Sequence, residues 1–155
     1  MLMLTLDFIA PMKLIKLLLP SILSRKKGGI INIASMAGKT PLPGSTWYAG
    51  AKAGFGMASE VLAGEVKDDG IHVLTVYPGP VSTALEKGAR AGYDENAIMK
   101  MMPVGDRAIM AEKIVEGYLD KKIVVAYPEI YDIARIFPPL TDNFVRIFAP
   151  KTKKA

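Results

Sequence analysis

The stretch SMAGKTPLPGSTWYAGAK, Ser35 to Lys52, decides how the chain is read. It leaves an apolar run, IINIAS (30–35), passes through a Gly/Pro-rich loop and enters a Gly/Ala-rich segment. A short β-branched apolar run is the pattern of a strand buried on both faces. Residues 46–67 read as a helix, so Tyr48 and Lys52, four apart, share one face of it. An ammonium beside a phenol favours the phenolate, which makes a tyrosine usable as an acid or base near neutral pH. Ser35 falls at the carboxyl end of its strand, the edge where open α/β sheets bind ligands. Its hydroxyl can hydrogen-bond the oxygen of a carbonyl or an alcohol. A bare tyrosine–lysine pair at this spacing is common by chance, and then Tyr48 caps a core with Lys52 lying along it. Glycine inside a helix costs about 1 kcal/mol relative to alanine, so Gly50, Gly54 and Gly56 require a packing reason. Gly50 and Gly54 lie roughly 200° round the helix from the Tyr/Lys pair, which leaves a bare face for close helix packing.

Outward from this stretch, the alternation continues. Residues 4–26 form an apolar stripe at helical spacing (Leu4, Phe8, Met12, Ile15, Leu18, Leu19, Ile22), with Pro11 and Pro20 expected to bend the helix or reset its hydrogen bonds and RKKGG ending it. IHVLTVYP (71–78) is a second buried strand, followed by GPVST. Residues 84–106 are expected to be a mobile loop with short helical pieces. Its Met99, Met101 and Met102, with Met110, make either an adaptable apolar substrate cover or plain packing. DRAIMAEKIVEGYLDKK reads as a helix, IVVAY as a strand, and the tail as two short helices broken by FPPLTD. Strands alternating with helices imply an α/β fold, a parallel sheet with flanking helices. One domain is expected over 1–155, with its core at 4–127 and a helical C-terminal extension at 128–155.

Composition narrows the function classes. The 155 residues contain no cysteine and one histidine, His72, which excludes a disulfide framework, a thiolate metal site and a histidine cluster; no metal is expected. The formal charge of +5 sits at the two ends: residues 1–27 carry +4 and KTKKA +3, leaving the middle slightly acidic. That distribution argues against nucleic acid. No run approaches the ~18 apolar residues of a membrane span, and the start lacks the pattern of a signal peptide. The chain reads as cytoplasmic, with the surface of the endoplasmic reticulum membrane as the alternative. KTKKA has lysines third and fifth from the end, as in a dilysine retrieval pattern. The tail YDIARIFPPLTDNFVRIFAPKTKKA mixes aromatics with bases, so it either packs as a helix pair or makes a membrane contact.

INIASMAG, then YAGAK within WYAGAKAGFGMASEVLAGEV, then GIHVLTVYPGPVST together resemble the C-terminal part of a short-chain dehydrogenase/reductase, in family order over about residues 4–127. The resemblance implies a partial Rossmann-type parallel sheet (its last three strands) and interconversion of a carbonyl and a secondary alcohol. The implied cofactor is NAD or NADP, NADP being the preferred of the two. By the same resemblance, Tyr48 is the proton donor/acceptor, Ser35 orients and polarises the substrate oxygen, and Lys52 binds the nicotinamide ribose beside the tyrosine. Backbone groups around Pro78, Gly79 and Val81 would hold the nicotinamide carboxamide, with Thr83 reaching the cofactor. A lipid- or steroid-like carbonyl or alcohol is the implied small-molecule substrate, and a homodimer through the helices at 4–26 and 46–67 the implied assembly.

Two departures qualify the resemblance. The family usually places an asparagine in the helix before the serine strand, supporting a water-linked proton relay to the lysine; here Asp7 falls there, and an aspartate lacks the amide donors. Its other reading is a first-turn acid facing the helix dipole. The Gly-rich turn that carries the cofactor pyrophosphate does not occur in this sequence, which therefore reads as the second half of an enzyme. The alternative is a catalytically incompetent fragment acting as a dimerisation or interaction module. A serine hydrolase would need a base for Ser35, yet His72 opens a buried strand and no GxSxG elbow is present.

Overall fold

The computed structural model describes residues 2–94 and 102–153. Three strands form one parallel sheet in the order β1 (Gly29–Ile33), β2 (His72–Pro78), β3 (Val124–Tyr127). Ile33 pairs with Val76, and Pro78 with Tyr127, so the carboxyl ends of the strands lie together. Residues of β2 alternate between two covered faces. Thr75 and Tyr77 meet Ser59 and Glu60 of α3 (Thr46–Glu65), while Leu74 lies towards Gly117 of α5 (Arg107–Leu119). The core gathers Ile15, Phe55, Leu62, Val73 and Tyr77. Burial of each such side chain stabilises by about 1.5–3 kcal/mol.

The N-terminal helix is continuous from α1 (Leu2–Leu4) through a π-helical turn, Thr5–Ile9, into α2 (Ala10–Arg25). Pro11 has no N–H to give Asp7's carbonyl, and its ring crowds that carbonyl. The hydrogen bonds are reset there into a wider turn, as expected of a proline, with the Ala10 N–H reaching the Thr5 carbonyl. Pro20 is accommodated inside α2. Lys26 in the left-handed region and Gly28 at φ +122° then swing the chain into β1.

Elsewhere the structure shifts boundaries for identifiable reasons. Ser35 lies two residues past β1, because it leaves the ladder to cap a short 3-10 turn, Met36–Gly38. The segment after GPVST holds an eight-residue helix, α4 (Ala84–Ala91), capped by Thr83. Met99 and Met101 fall outside the described residues, while Met102 and Met110 are half-buried. In the tail, α6 (Asp132–Ile136) is followed by α7 (Pro138–Phe148), so the prolines of FPPLTD start a helix rather than break one. First-turn positions need no N–H donor.

The glycine whose packing matters is also a different one. A Cβ at Gly56 would stand 2.5 Å from the Tyr77 hydroxyl, whereas one at Gly54 would touch the Phe8 ring at an ordinary 3.6 Å and one at Gly50 would meet nothing within 4 Å. Gly54 thus packs on the chain's own first helix.

Among the described residues β1 is hydrogen-bonded on one side only, to β2, and its Ile31 and Ile33 are 41% and 40% exposed. Between α2 and β1 runs an apolar groove of about 460 Å³, with Leu14 and Leu18 on one wall and Asp7 and Lys52 among its lining residues. Among the described residues no helix is long and apolar enough to cross a membrane, and no cluster of His, Asp or Glu could hold a metal ion.

Candidate active site

Ser35 is delivered by β1. Ala34 still donates to Val76 of β2 at 2.8 Å, after which Ser35 stays extended and its Oγ accepts from the Ala37 N–H at 3.1 Å. The oxygen is thereby fixed while the O–H remains a donor, which is the capacity needed to hold a substrate oxygen. The 3-10 turn after Ser35 lies directly against α3: a Cβ at Gly38 would be 2.6 Å from the Ala53 nitrogen and 2.8 Å from the Lys52 carbonyl carbon. Only glycine allows that approach, so Gly38 sets how closely Ser35's turn sits to the Tyr48 helix. Gly38 is a functional position that periodicity does not mark; its one signal in INIASMAG is a glycine three residues after the serine.

Lys52 ties three segments together. Its Nζ donates to the Ile33 carbonyl at 3.1 Å, pairs with Asp7 Oδ1 at 3.3 Å and lies 5.9 Å from the centre of the Tyr48 ring. Asp7 is therefore turned to the lysine from the π-helical turn rather than serving only as a first-turn acid. Single π turns inside α-helices are frequent at functional sites. Asp7 and Lys52 are partly exposed, so their ion pair is a positioning contact worth about 0–1 kcal/mol in stability.

The loop after β2 approaches from the neighbouring strand. Gly79 donates its N–H to the Tyr127 carbonyl at 2.7 Å. Val81 is bridged to Gly105 through Gly105 N–H to Pro80 O and Ser82 N–H to Gly105 O, each 2.9 Å. In a parallel bridge of this form Val81's own N–H and C=O point to the opposite side, a donor–acceptor pair of the kind a carboxamide requires. Thr83 is exposed, and its Oγ1 accepts from the Glu86 N–H at 3.2 Å as the cap of α4. Its O–H remains free to donate.

A polar cluster underlies these segments. Glu60 of α3 accepts a short hydrogen bond from the buried Tyr77 hydroxyl and pairs with Lys39 at 3.3 Å. Burial first, and Glu60 second, push the Tyr77 phenol far above the usual tyrosine range. It stays protonated and structural.

His72 stands apart. It faces Gly29 at the start of the ladder, six residues before Ser35, which at ~3.3 Å per residue is roughly 20 Å away. Its ring meets that of Tyr118 at a tilt of 52°, centres 5.2 Å apart, and it has no route to Ser35 as a base. The hydrolase reading has no support.

A family model described as short chain dehydrogenase matches residues 2–94. The very-long-chain 3-oxoacyl-CoA reductase of Bos taurus is 31% identical over 116 residues, covering 75% of this chain and 37% of that enzyme. Dehydrogenase/reductase SDR family member 7B of Rattus norvegicus is 30% identical over 148 residues, 94% of this chain and 43% of that protein. The chain thus spans less than half the length of these relatives. Among solved structures, a short-chain dehydrogenase from Sphingobium yanoikuyae in complex with NADPH superposes with a TM-score of 0.71 at 23% identity, covering 97% of this chain and 57% of that one.

Proposed function

The chain belongs to the short-chain dehydrogenase family, and from that premise we propose that it carries the catalytic residues of an NAD(P)-dependent oxidoreductase interconverting a carbonyl and a secondary alcohol. The observation that carries the reading is Lys52, held by Asp7 and the Ile33 carbonyl with Tyr48 on the same helix face, at the carboxyl end of the sheet. Tyr48 passes a proton to the carbonyl oxygen in reduction and takes it back in oxidation. Ser35 donates its O–H to the same oxygen and draws charge onto it. Lys52 supplies positive charge beside the phenol, and Asp7 holds the lysine in place. Val81 offers its N–H and C=O to a nicotinamide carboxamide, with Pro78 and Gly79 shaping the turn and Thr83 at its far end. A bound nicotinamide supplies or accepts the hydride. NADP is the nucleotide to try first.

The Bos taurus relative is named for 3-oxoacyl-CoA reduction, so an apolar 3-oxoacyl thioester is the first substrate to test. A homodimer through α2 and α3 is the assembly we propose. In the active protein that contains this chain, Tyr48→Phe keeps the ring and loses the transferable proton. Turnover is expected to fall by ~10²–10⁴ with an unchanged circular dichroism spectrum. Activity within tenfold of the parent would remove Tyr48 from the mechanism.

A further inference from the structure

The C-terminal helices are mounted inside out. Ile133, Phe137, Leu140, Phe144 and Ile147 recur every three or four residues and are all exposed, Leu140 at 63% and Ile147 at 72%. The residues of α7 that turn partly inward are instead Thr141, Asp142 and Val145. A core-facing helix buries its apolar stripe; here that stripe faces outward, and a contiguous exposed patch of this kind marks an interaction surface.

The element is not a loose end. Ala134 of α6 is buried in the core, and the Tyr131 hydroxyl donates to the Pro103 carbonyl at 2.9 Å. Beyond α7 the chain is tied back to the end of α4: Asp94 N–H to Lys151 O at 2.9 Å, Lys153 N–H to Gly92 O at 3.0 Å, and Lys153 Nζ to Ala91 O at 3.0 Å. The stripe is therefore presented by two short helices, α6 and α7, joined at Phe137 and held at both ends. Charge along this segment is predominantly basic: residues 138–153 carry Arg146, Lys151 and Lys153 against the single acid Asp142, Arg146 and Lys151 are exposed, and Asp94 adds one acid where its N–H meets the Lys151 carbonyl. Arg135 does not add to this, being neutralised by Asp132 at 2.7 Å.

We propose that α6 and α7 form a docking surface for an anionic lipid bilayer. The Phe, Leu and Ile side chains enter the boundary between headgroups and acyl chains, and Arg146 and Lys151 meet the lipid charges. An amphipathic helix with aromatic and aliphatic residues on one face and bases on the other lies in the plane of such an interface. At 11 residues α7 is about 16 Å long, suited to lying on a membrane and too short to cross one. Excess positive charge beside the stripe complements anionic headgroups, which is the reason for choosing a lipid surface over a second protein. The proposal does not rest on the catalytic reading and stands if the chain turns nothing over.

Flotation of the purified 155-residue chain with phosphatidylcholine vesicles, with and without phosphatidylserine, tests it. The chain is expected to float with the phosphatidylserine vesicles and to be released by high salt. Phe144→Ser with Ile147→Ser, and separately Arg146→Glu with Lys151→Glu, should each lower binding about tenfold or more with an unchanged circular dichroism spectrum. Ile31→Lys at the open sheet edge should leave binding unchanged, which separates docking from general stickiness. A folded chain that floats with neither vesicle overturns the proposal, as does flotation that both double variants leave intact. Loss of self-association in Phe144→Ser with Ile147→Ser, without any lipid binding by the parent, assigns the face to a second copy and also overturns it.

Discussion

Gly56→Ala should destabilise the chain even though it improves the helix. On propensity alone, alanine for glycine inside α3 stabilises by about 1 kcal/mol. The new Cβ, however, would stand 2.5 Å from the Tyr77 hydroxyl, 2.9 Å from Cε1 and 3.0 Å from Cζ. Tyr77 is fully buried and bonded to Glu60, so its ring cannot retreat without losing that bond. Overpacking costs about 1–3 kcal/mol, and a hydrogen bond to a charged group about 1.5–3 kcal/mol. Even after the propensity gain the net loss is ~1.5–5 kcal/mol, which for a chain of this length lowers the melting temperature by roughly 3–20 °C. Gly50→Ala in the same helix meets nothing within 4 Å and should raise it by a few degrees. Paired thermal melts followed by circular dichroism read both. If Gly56→Ala melts with or above Gly50→Ala, the close approach of α3 to β2 is not as described. Tyr77 immediately precedes Pro78 and Gly79, so the same variant should lower turnover by displacing that loop from Tyr48.

Asp7→Asn, which places there the asparagine that the resemblance implies, should keep turnover of the active protein within about threefold, whereas Asp7→Ala, which removes the ion pair to Lys52, should lose tenfold or more while changing the melting temperature little; equal effects would remove Asp7 from the site. Titrated with NADPH and NADH by calorimetry, the 155-residue chain should bind no tighter than millimolar. Its residues include no Gly-rich turn for the pyrophosphate, each missing charge-assisted bond removes ~1.5–3 kcal/mol, and ~1.4 kcal/mol is tenfold; a low-micromolar constant would refute this. Burial, and then the charge of Lys121, hold the His72 pKa below its ordinary 6.5. The unfolded chain therefore takes up its proton first as the pH falls, so stability present above pH 6.5 is lost below it. Urea midpoints at neutral and mildly acid pH should separate less in His72→Gln; an unchanged separation would clear His72 of the effect.

What could be read from the sequence was what depends on spacing along one element. Tyr48 and Lys52 share a face because helix geometry dictates it, and the apolar, β-branched runs at 30–35 and 71–78 read as strands; the second is buried as expected, whereas the first leaves Ile31 and Ile33 exposed. What could not be read depends on where elements meet. The position of Asp7 is one case: its spacing from Pro11 was visible, but the widened turn that aims it at Lys52 forms because Pro11 withholds a donor while α3 offers a cation across the gap. The glycines are another. Gly50, Gly54 and Gly56 look alike in the sequence, and only the tertiary neighbour distinguishes Gly56, under Tyr77, from Gly50, which faces open space. Gly38 and Gly56 then play parallel parts. One lets the turn after Ser35 touch α3 at Lys52 and Ala53; the other lets the strand leading to Pro78 touch α3 one turn further on. Two absent side chains thus bring both loops against the single helix that bears Tyr48 and Lys52, and a methyl group at either position would move a loop without altering any residue proposed to do chemistry.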